Sequence, residues 1–274
     1  MTPDHRLVAK QFPRASRYNP DWVLANASGG ANVLWITEWL TSVLPLREGM
    51  RVLDLGSGRA SSSIFLRREF GVEVWATDLW FNATENWQRI KDAGVQDGVF
   101  PFHADARSLP FPGEFFDAII CIDAFPYFGT DDLYLNYLAH FVAPGGLIGI
   151  AGASLVREFE GPVPDHLKDW FTQDIFALHS AEWWRRHWEK TGIVSIEVAE
   201  TMPDGWRLWL EWIKTVAPDN VSEITTIEAD HGRYLGYSRV VARRREGVKL
   251  EEYCWPDTMR SFPSQYTRQP LLRS

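Results

Sequence analysis

From Met50 onward, short apolar runs alternate with longer segments in which apolar and polar residues mix. That alternation predicts a parallel β-sheet covered by helices. Arg51–Leu55 reads as a first buried strand, followed by a glycine turn and a helix over roughly 60–70. Val72–Thr77 reads as a second strand, Asn82–Asp92 as a second helix and Val99–His103 as a third strand. Phe116–Ile122 is an almost continuous apolar run, as expected of a strand covered on both faces. Thr130 can cap a helix with Asp131 and Asp132 in its first turn, running to about Val142 with Leu135, Leu138 and Val142 on one side. Ala143-Pro144-Gly145-Gly146 then stops it, and Leu147–Ala151 forms a fifth strand. Ile193–Ala199 and Tyr234–Arg244 supply a sixth and a seventh.

Two regions depart from this rhythm. Residues 1–49 hold a helical stretch near 31–44, and residues 154–192 form a long insertion carrying Trp170, Trp183, Trp184 and Trp188. Connections this long are commonly functional, often lids. The expected organisation is one domain: a helical cap (1–49), a core (50–153), a cap insertion (154–192), the end of the sheet (193–245) and a C-terminal arm (246–274) through which oligomers could form.

Composition narrows the class without naming it. The 274 residues are 45% hydrophobic and 23% charged, a globular balance, with a formal net charge of -8. An acidic chain argues against a bulk nucleic-acid partner. Cys121 and Cys254 are the only cysteines, too few for a disulfide scaffold or a cysteine-only zinc site. The first residues lack the apolar run of a signal peptide, and no stretch is apolar enough to span a membrane. A cytoplasmic protein with no membrane partner is the expectation. The 14 tryptophans exceed what a core requires.

Candidate chemistry concentrates at Val52-Leu53-Asp54-Leu55-Gly56-Ser57-Gly58-Arg59-Ala60. Gly56 and Gly58, between a strand and a helix, allow unusual φ values and close approach of a ligand. Asp78 closes the second strand at the spacing where a carboxylate can accept from both hydroxyls of a ribose. Asp105 lies just past the third strand, placed to accept from the exocyclic amine of an adenine. Helix capping is the plainer role for both carboxylates. A nicotinamide dinucleotide would need glycine where Ser61 stands, and bulky Arg59 intervenes before the helix.

At these motifs the chain resembles the class I S-adenosylmethionine-dependent methyltransferases. Asp54 to Ala60 is similar to the family's glycine turn, with Ala60 in the last glycine position. Ala76-Thr77-Asp78-Leu79 resembles its ribose-binding strand end, and His103 to Phe111 its adenine-binding segment. Phe116 to Cys121 and Leu138 to Gly146 resemble its fourth strand and the entry to its fifth. The resemblance spans roughly residues 48–152. It implies a Rossmann-like α/β fold with a seven-stranded, mostly parallel sheet, an antiparallel last strand and a helical cap. It also implies S-adenosyl-L-methionine as cofactor. Gly56, Ser57 and Gly58 would cradle the methionine part, Asp78 the ribose, and Leu79, Asp105 and Ala106 the adenine. The Ile122 carbonyl, with Asp123 beside it, would reach the methionine ammonium. Asp54 would support the turn or meet that ammonium through water.

The acceptor is less legible. Asp123-Ala124-Phe125-Pro126-Tyr127 lacks the Glu-His pair of cyclopropane synthases and the Asn-Pro-Pro-Tyr type motif of DNA and protein amide methylation, leaving a small-molecule acceptor at O, N or C. A non-catalytic cofactor sensor and an RNA methyltransferase are the competing readings. Candidate bases are Asp123, Tyr127 and His179, with Tyr18 and His103 as further side chains of the right chemistry. The seven histidines show no metal-ligand spacing, so no metal site is expected. Trp184 and Trp188, four apart, and Trp206, Trp209 and Trp212, three apart, each line up on one helix stripe. They serve either as packing or as the aromatic wall of an acceptor pocket.

Overall fold

A computed structural model describes residues 6–250. The part of the expected C-terminal arm beyond residue 250, with any oligomer contact it would make, lies outside the described residues. In chain order the elements are α1 (Pro20–Ala25), α2 (Val33–Thr41), β1 (Arg51–Leu55), α3 (Ser61–Phe70), β2 (Glu73–Asp78), α4 (Ala83–Asp92), β3 (Val99–His103) and β4 (Phe116–Ile122). There follow α5 (Pro126–Gly129), α6 (Tyr134–Ala139), β5 (Val142–Leu155), α7 (Ala181–Glu189), β6 (Val194–Thr201), α8 (Gly205–Val216), α9 (Val221–Asp230) and β7 (Leu235–Arg244).

The seven strands form one sheet in the order β3-β2-β1-β4-β5-β7-β6. β7 runs antiparallel to both its neighbours, and the pairings from β3 through β5 are parallel. This is the Rossmann-like arrangement that the resemblance implied. Successive strand residues point to opposite faces, so each central strand feeds two cores. Val52, Ala118, Ile120 and Ile122 join one cluster with Trp35 of α2 and Trp212 of α8. Leu53, Leu55, Ile119 and Cys121 join the other with Leu138 of α6 and Trp188 of α7.

Two expectations are corrected. The helix expected from Thr130 to Val142 is instead the shorter α6, which starts from Leu133 with no side-chain cap and ends at Ala139, while Thr130 closes α5 before it. Packing overrides the capping signal: Phe125 and Phe128 of the α5 region turn inward against Tyr134, at ring distances of 5.9 and 5.2 Å. The stretch Ala143-Pro144-Gly145-Gly146 does not separate a helix from a strand but lies inside β5. There the register against β4 jumps from Phe116–Val142 to Ala118–Leu147, so these residues bulge out of the ladder.

The tryptophan stripe of α7 packs the sheet. Trp184 and Trp188 are buried, with Phe125 edge-on to them at 5.3 and 5.5 Å. On α8, Trp209 and Trp212 are buried as well. Among the described residues no helix is long and apolar enough to cross a membrane, and no group of three His, Cys, Asp or Glu side chains could hold a metal ion.

Candidate active site

The carboxyl ends of β1, β2 and β4 open into a cavity of about 500 Å³, which the segment just after β3 also borders. At the end of β1 the chain turns sharply through Gly56 (φ +77°) and Gly58 (φ +54°). A Cβ on Gly56 would lie 2.4 Å from the Cβ of Ala124, and one on Gly58 would lie 2.3 Å from Ser28 Oγ. Only glycine fits between these neighbours at positive φ. The amides of Gly56 and Ser57 both donate to the Thr77 carbonyl, at 2.8 and 3.1 Å, and that of Gly58 donates to Asp78 Oδ2 at 2.8 Å. With its N–H groups so engaged, the turn offers a ligand carbonyl oxygens, which suit a cationic group, although those of Ser57 and Gly58 each already accept one bond, from Ala60 N and Asn86 Nδ2 at 2.9 Å.

Asp78 also accepts from the amides of Trp80 (2.7 Å) and Phe81 (2.9 Å) through Oδ1. It therefore binds the glycine turn to the loop after β2. Leu79 and Trp80 project beside it, half-exposed and exposed, and the Trp80 ring meets that of Tyr127 edge-on at 5.2 Å. Across the cavity, Asp105 holds Arg107 in a fork, with Oδ1 3.0 Å from Nε and Oδ2 2.8 Å from Nη2. Those bonds hold its carboxyl below the usual value. Ala106 is fixed from behind by Tyr134, whose hydroxyl donates to its carbonyl at 2.9 Å.

Asp123 follows Ile122 at the end of β4 in a left-handed conformation (φ +57°), which is costly for a non-glycine residue. Its carboxylate accepts from Ala153 N through Oδ1 (2.8 Å) and from Ala31 N through Oδ2 (2.7 Å). The second bond fastens a strap, Ser28-Gly29-Gly30-Ala31, across the cavity. A Cβ on Gly30 would fall 1.7 Å from Asp123 Oδ2, so the strap can approach only without a side chain there. Arg59 secures the other end: its amide donates to Ser28 Oγ at 3.2 Å, and its guanidinium donates to the Ala27 carbonyl and lies over the Phe81 ring. Burial pushes the Asp123 carboxyl above its ordinary value.

A second chamber of about 410 Å³ adjoins the first, and Gly30, Asp123 and Tyr127 line both. Trp170, Asp169 and Leu178 of the insertion and Trp209, Asn220 and Glu223 of α8–α9 complete its walls.

Thus Gly56, Ser57, Gly58, Asp78, Leu79 and Asp105, together with Ala106, Ile122, Asp123 and Tyr127, share one cavity. Asp54 does not line it. It is buried beneath the turn, where the hydroxyls of Ser62 and Ser63 donate to Oδ2 at 2.6 and 2.5 Å, and its Oδ1 has no partner among the described residues. His179 lines neither chamber; its ring stacks on Trp183 at 3.7 Å and its Nδ1 lies 3.1 Å from Glu158. Tyr18 donates to Glu69 at 3.2 Å, and His103 contacts the Leu79 carbonyl at 2.8 Å, both outside the chambers. Sequence reasoning missed the strap, Asp169 and Glu223. The Gly29-Gly30 pair and the Asn220-x-x-Glu223 capping pattern were the available signals.

Burial raises the Asp54 carboxyl from 3.8 to about 6. A raised folded-state value costs nothing below about pH 4, and its penalty grows until pH exceeds about 6. The full penalty is about 3 kcal/mol at roughly 1.4 kcal/mol per pH unit. Asp54→Asn is therefore expected to gain stability relative to the native protein as pH rises from 4 to 7. Urea melts of both proteins at several pH values, without ligand, would check this; a difference flat across that window would contradict it.

The first cavity has the properties of a nucleoside-cofactor pocket. Besides its carboxylates it holds two buried hydroxyls, of Ser57 and Thr77, that have no partner among the described residues. Such orphaned groups are costly unless a ligand completes them.

Residues 52–146 match the family model described as a methyltransferase domain. Over 117 residues the chain is 31% identical to the methyltransferase GfsG of Streptomyces halstedii, covering 42% of each chain. It is 31% identical over 156 residues to the ubiquinone/menaquinone biosynthesis C-methyltransferase UbiE of Vibrio vulnificus, covering 56% of each. The chain thus spans about half the length of the curated relatives it matches. In fold it is similar to geranyl diphosphate C-methyltransferase of Streptomyces coelicolor A3(2), a structure in complex with S-adenosyl-L-homocysteine, with a TM-score of 0.64 and 17% identity over 76% of this chain and 78% of that one. The sheet order is Rossmann-like, with the cavity at the carboxyl edge of its parallel strands. Residues 52–146 carry a methyltransferase domain, and S-adenosylmethionine-dependent methyltransferases are the proteins to which the chain is similar.

Proposed function

We propose that the chain transfers the methyl group of S-adenosylmethionine to a small molecule held in the second chamber. The observation that carries this reading is the meeting of two cavities at Gly30, Asp123 and Tyr127. The first is assigned to the donor, and the second, which opens from it, to the acceptor. When bound, the sulfonium supplies an electrophilic methyl carbon: its carbon–sulfur bond breaks with the electron pair passing to sulfur, while the acceptor's lone pair forms the new bond.

The chain's own residues bind, align and exclude water. Asp78 holds the ribose hydroxyls while fixing the turn, and Leu79 packs on the adenine. Asp105 and the Ala106 amide address the adenine edge. Carbonyls of the Gly56–Gly58 turn and of Ile122, with the Ser57 hydroxyl, receive the methionine ammonium. Asp54 supports the turn from beneath. The strap and the 156–180 segment form the cap. Asp123, placed between the chambers, and Tyr127, at the entrance, are the side chains positioned to take a proton from an acceptor that must lose one.

Binding of S-adenosylhomocysteine, followed by transfer of labelled methyl groups to a metabolite panel, tests the reading. No affinity for S-adenosylhomocysteine would refute it. His179→Gln separates candidate roles: with the imidazole stacked on Trp183 outside both chambers, turnover is expected within about twofold of native. A loss of tenfold or more at unchanged thermal stability would restore His179 as a base.

A further inference from the structure

Trp170 and Trp209 form a corner of the second chamber, their rings 5.8 Å apart and inclined at 66°. The Trp209 ring is held in place by Tyr237, stacked at 5.6 Å and 19°. Glu223 stands beside this corner, its Oε1 accepting from Trp209 Nε1 at 2.8 Å and its Oε2 from Asn220 Nδ2 at 2.8 Å. Both donors are neutral. Asp123 closes the side toward the first cavity, and Asp169 lies on the insertion side.

No lysine, arginine or histidine among the described residues lines the chamber. Among the described residues, none of these three carboxylates is in an ion pair. An uncompensated carboxylate in a semi-enclosed cavity is expensive, and burial pushes the Glu223 carboxyl up accordingly. Tryptophan faces attract cations through the ring quadrupole, most strongly when the cation is desolvated. Charge and aromatic wall thus select the same ligand sign independently. A bare metal ion does not meet the description, because the carboxylates do not gather closely enough to coordinate one. A cavity of about 410 Å³ suits an organic molecule.

We propose that the second chamber binds an organic ammonium ion, its cationic nitrogen seated between Glu223 and the Trp170–Trp209 corner. This inference rests on the methyl-transfer reading only in taking that ion as the acceptor; the charge preference stands on the chamber's own walls.

The test uses two probes of nearly equal shape, choline and its uncharged carbon isostere 3,3-dimethyl-1-butanol. Both are titrated by calorimetry into the full chain with and without saturating S-adenosylhomocysteine. Choline is expected to bind at least tenfold more tightly than the isostere. Glu223→Gln, which retains an acceptor for Trp209, is expected to weaken choline about tenfold and leave the isostere unchanged. Trp170→Ala should weaken choline roughly three- to thirtyfold, the range of a desolvated cation–π contact. S-adenosylhomocysteine affinity should stay within twofold in both variants, which also shows that they fold. Equal affinity of the two probes, no binding of choline, indifference to Glu223→Gln, or displacement of choline by millimolar Mg²⁺ would each overturn the assignment. If choline discrimination persists but S-adenosylhomocysteine does not bind, the methyl-transfer reading fails and the ammonium site stands. If S-adenosylhomocysteine binds and probe charge makes no difference, the reverse holds.

Discussion

Asp78→Ala is expected to lower S-adenosylhomocysteine affinity by about two orders of magnitude and to destabilise the fold together with it. The carboxylate accepts from three backbone amides, of Gly58, Trp80 and Phe81. Removing it leaves donors in and around a largely enclosed turn without partners, at roughly 1–3 kcal/mol for each that water cannot reach. Since Trp80 and Phe81 are partly exposed, a total of about 2–4 kcal/mol is expected, or a Tm lower by roughly 5–15 °C in a domain of this size. Asp78→Asn separates the two effects. Its carbonyl oxygen can keep Trp80 and Phe81, while its amide meets the Gly58 N–H donor to donor. Stability should largely recover in this variant, and affinity should remain far below native. Native-like affinity in either variant would remove Asp78 from the cofactor site.

Asp123→Ala is expected to cost about 10²–10³ in kcat with a much smaller change in donor affinity. The carboxylate fastens the strap through Ala31 and anchors β5 through Ala153. In-line substitution depends on alignment, and a displacement of about 1 Å can cost 10²-fold. Asp123→Asn keeps one acceptor but sets an amide group against the N–H of either Ala31 or Ala153, so it should recover only part of the loss. If Asp123 also accepts the acceptor's proton, the native pH profile has an acidic limb. Activity then falls as pH drops and the carboxylate takes a proton, at a value above that of an ordinary aspartate because burial raises it. The limb should vanish in Asp123→Asn. Native kcat in both variants would exclude either role, and a limb that survives in Asp123→Asn would assign the proton to another group, with Tyr127 next in line.

The parts of the fold that were legible are those in which local pattern and burial agree. β1, β3 and β4 have the bounds that their apolar runs predict; β1 and β4 are covered on both faces and tolerate few polar residues, whereas β3 is a half-buried edge strand bounded by its own apolar run. The glycine turn was legible because Gly56 and Gly58 sit where a Cβ would collide. The helix expected from Thr130 was misread because a favourable capping sequence was outweighed by burying Phe125 against Trp184 and Trp188, which are far away in sequence. Glu223 escaped for a similar reason. It meets Asp123 around one chamber only because α8 and α9 fold back over the sheet, and no local spacing encodes that. The tryptophan excess divides along the same line. Trp184, Trp188 and Trp212 are core, whereas Trp170 and the likewise buried Trp209 border the second chamber, a distinction that depends on tertiary placement and not on count.

Because Gly30, Asp123 and Tyr127 form a common wall between the two chambers, each ligand supplies part of the other's surroundings. Thermodynamic linkage then makes the effect reciprocal: whatever factor the donor applies to acceptor affinity, the acceptor applies to donor affinity. A substitution in the partition, such as Gly30→Ala, would change that coupling factor as well as the individual constants. A substitution at the far end of either chamber, such as Asp105→Asn or Glu223→Gln, would change one constant and leave the coupling factor as it was.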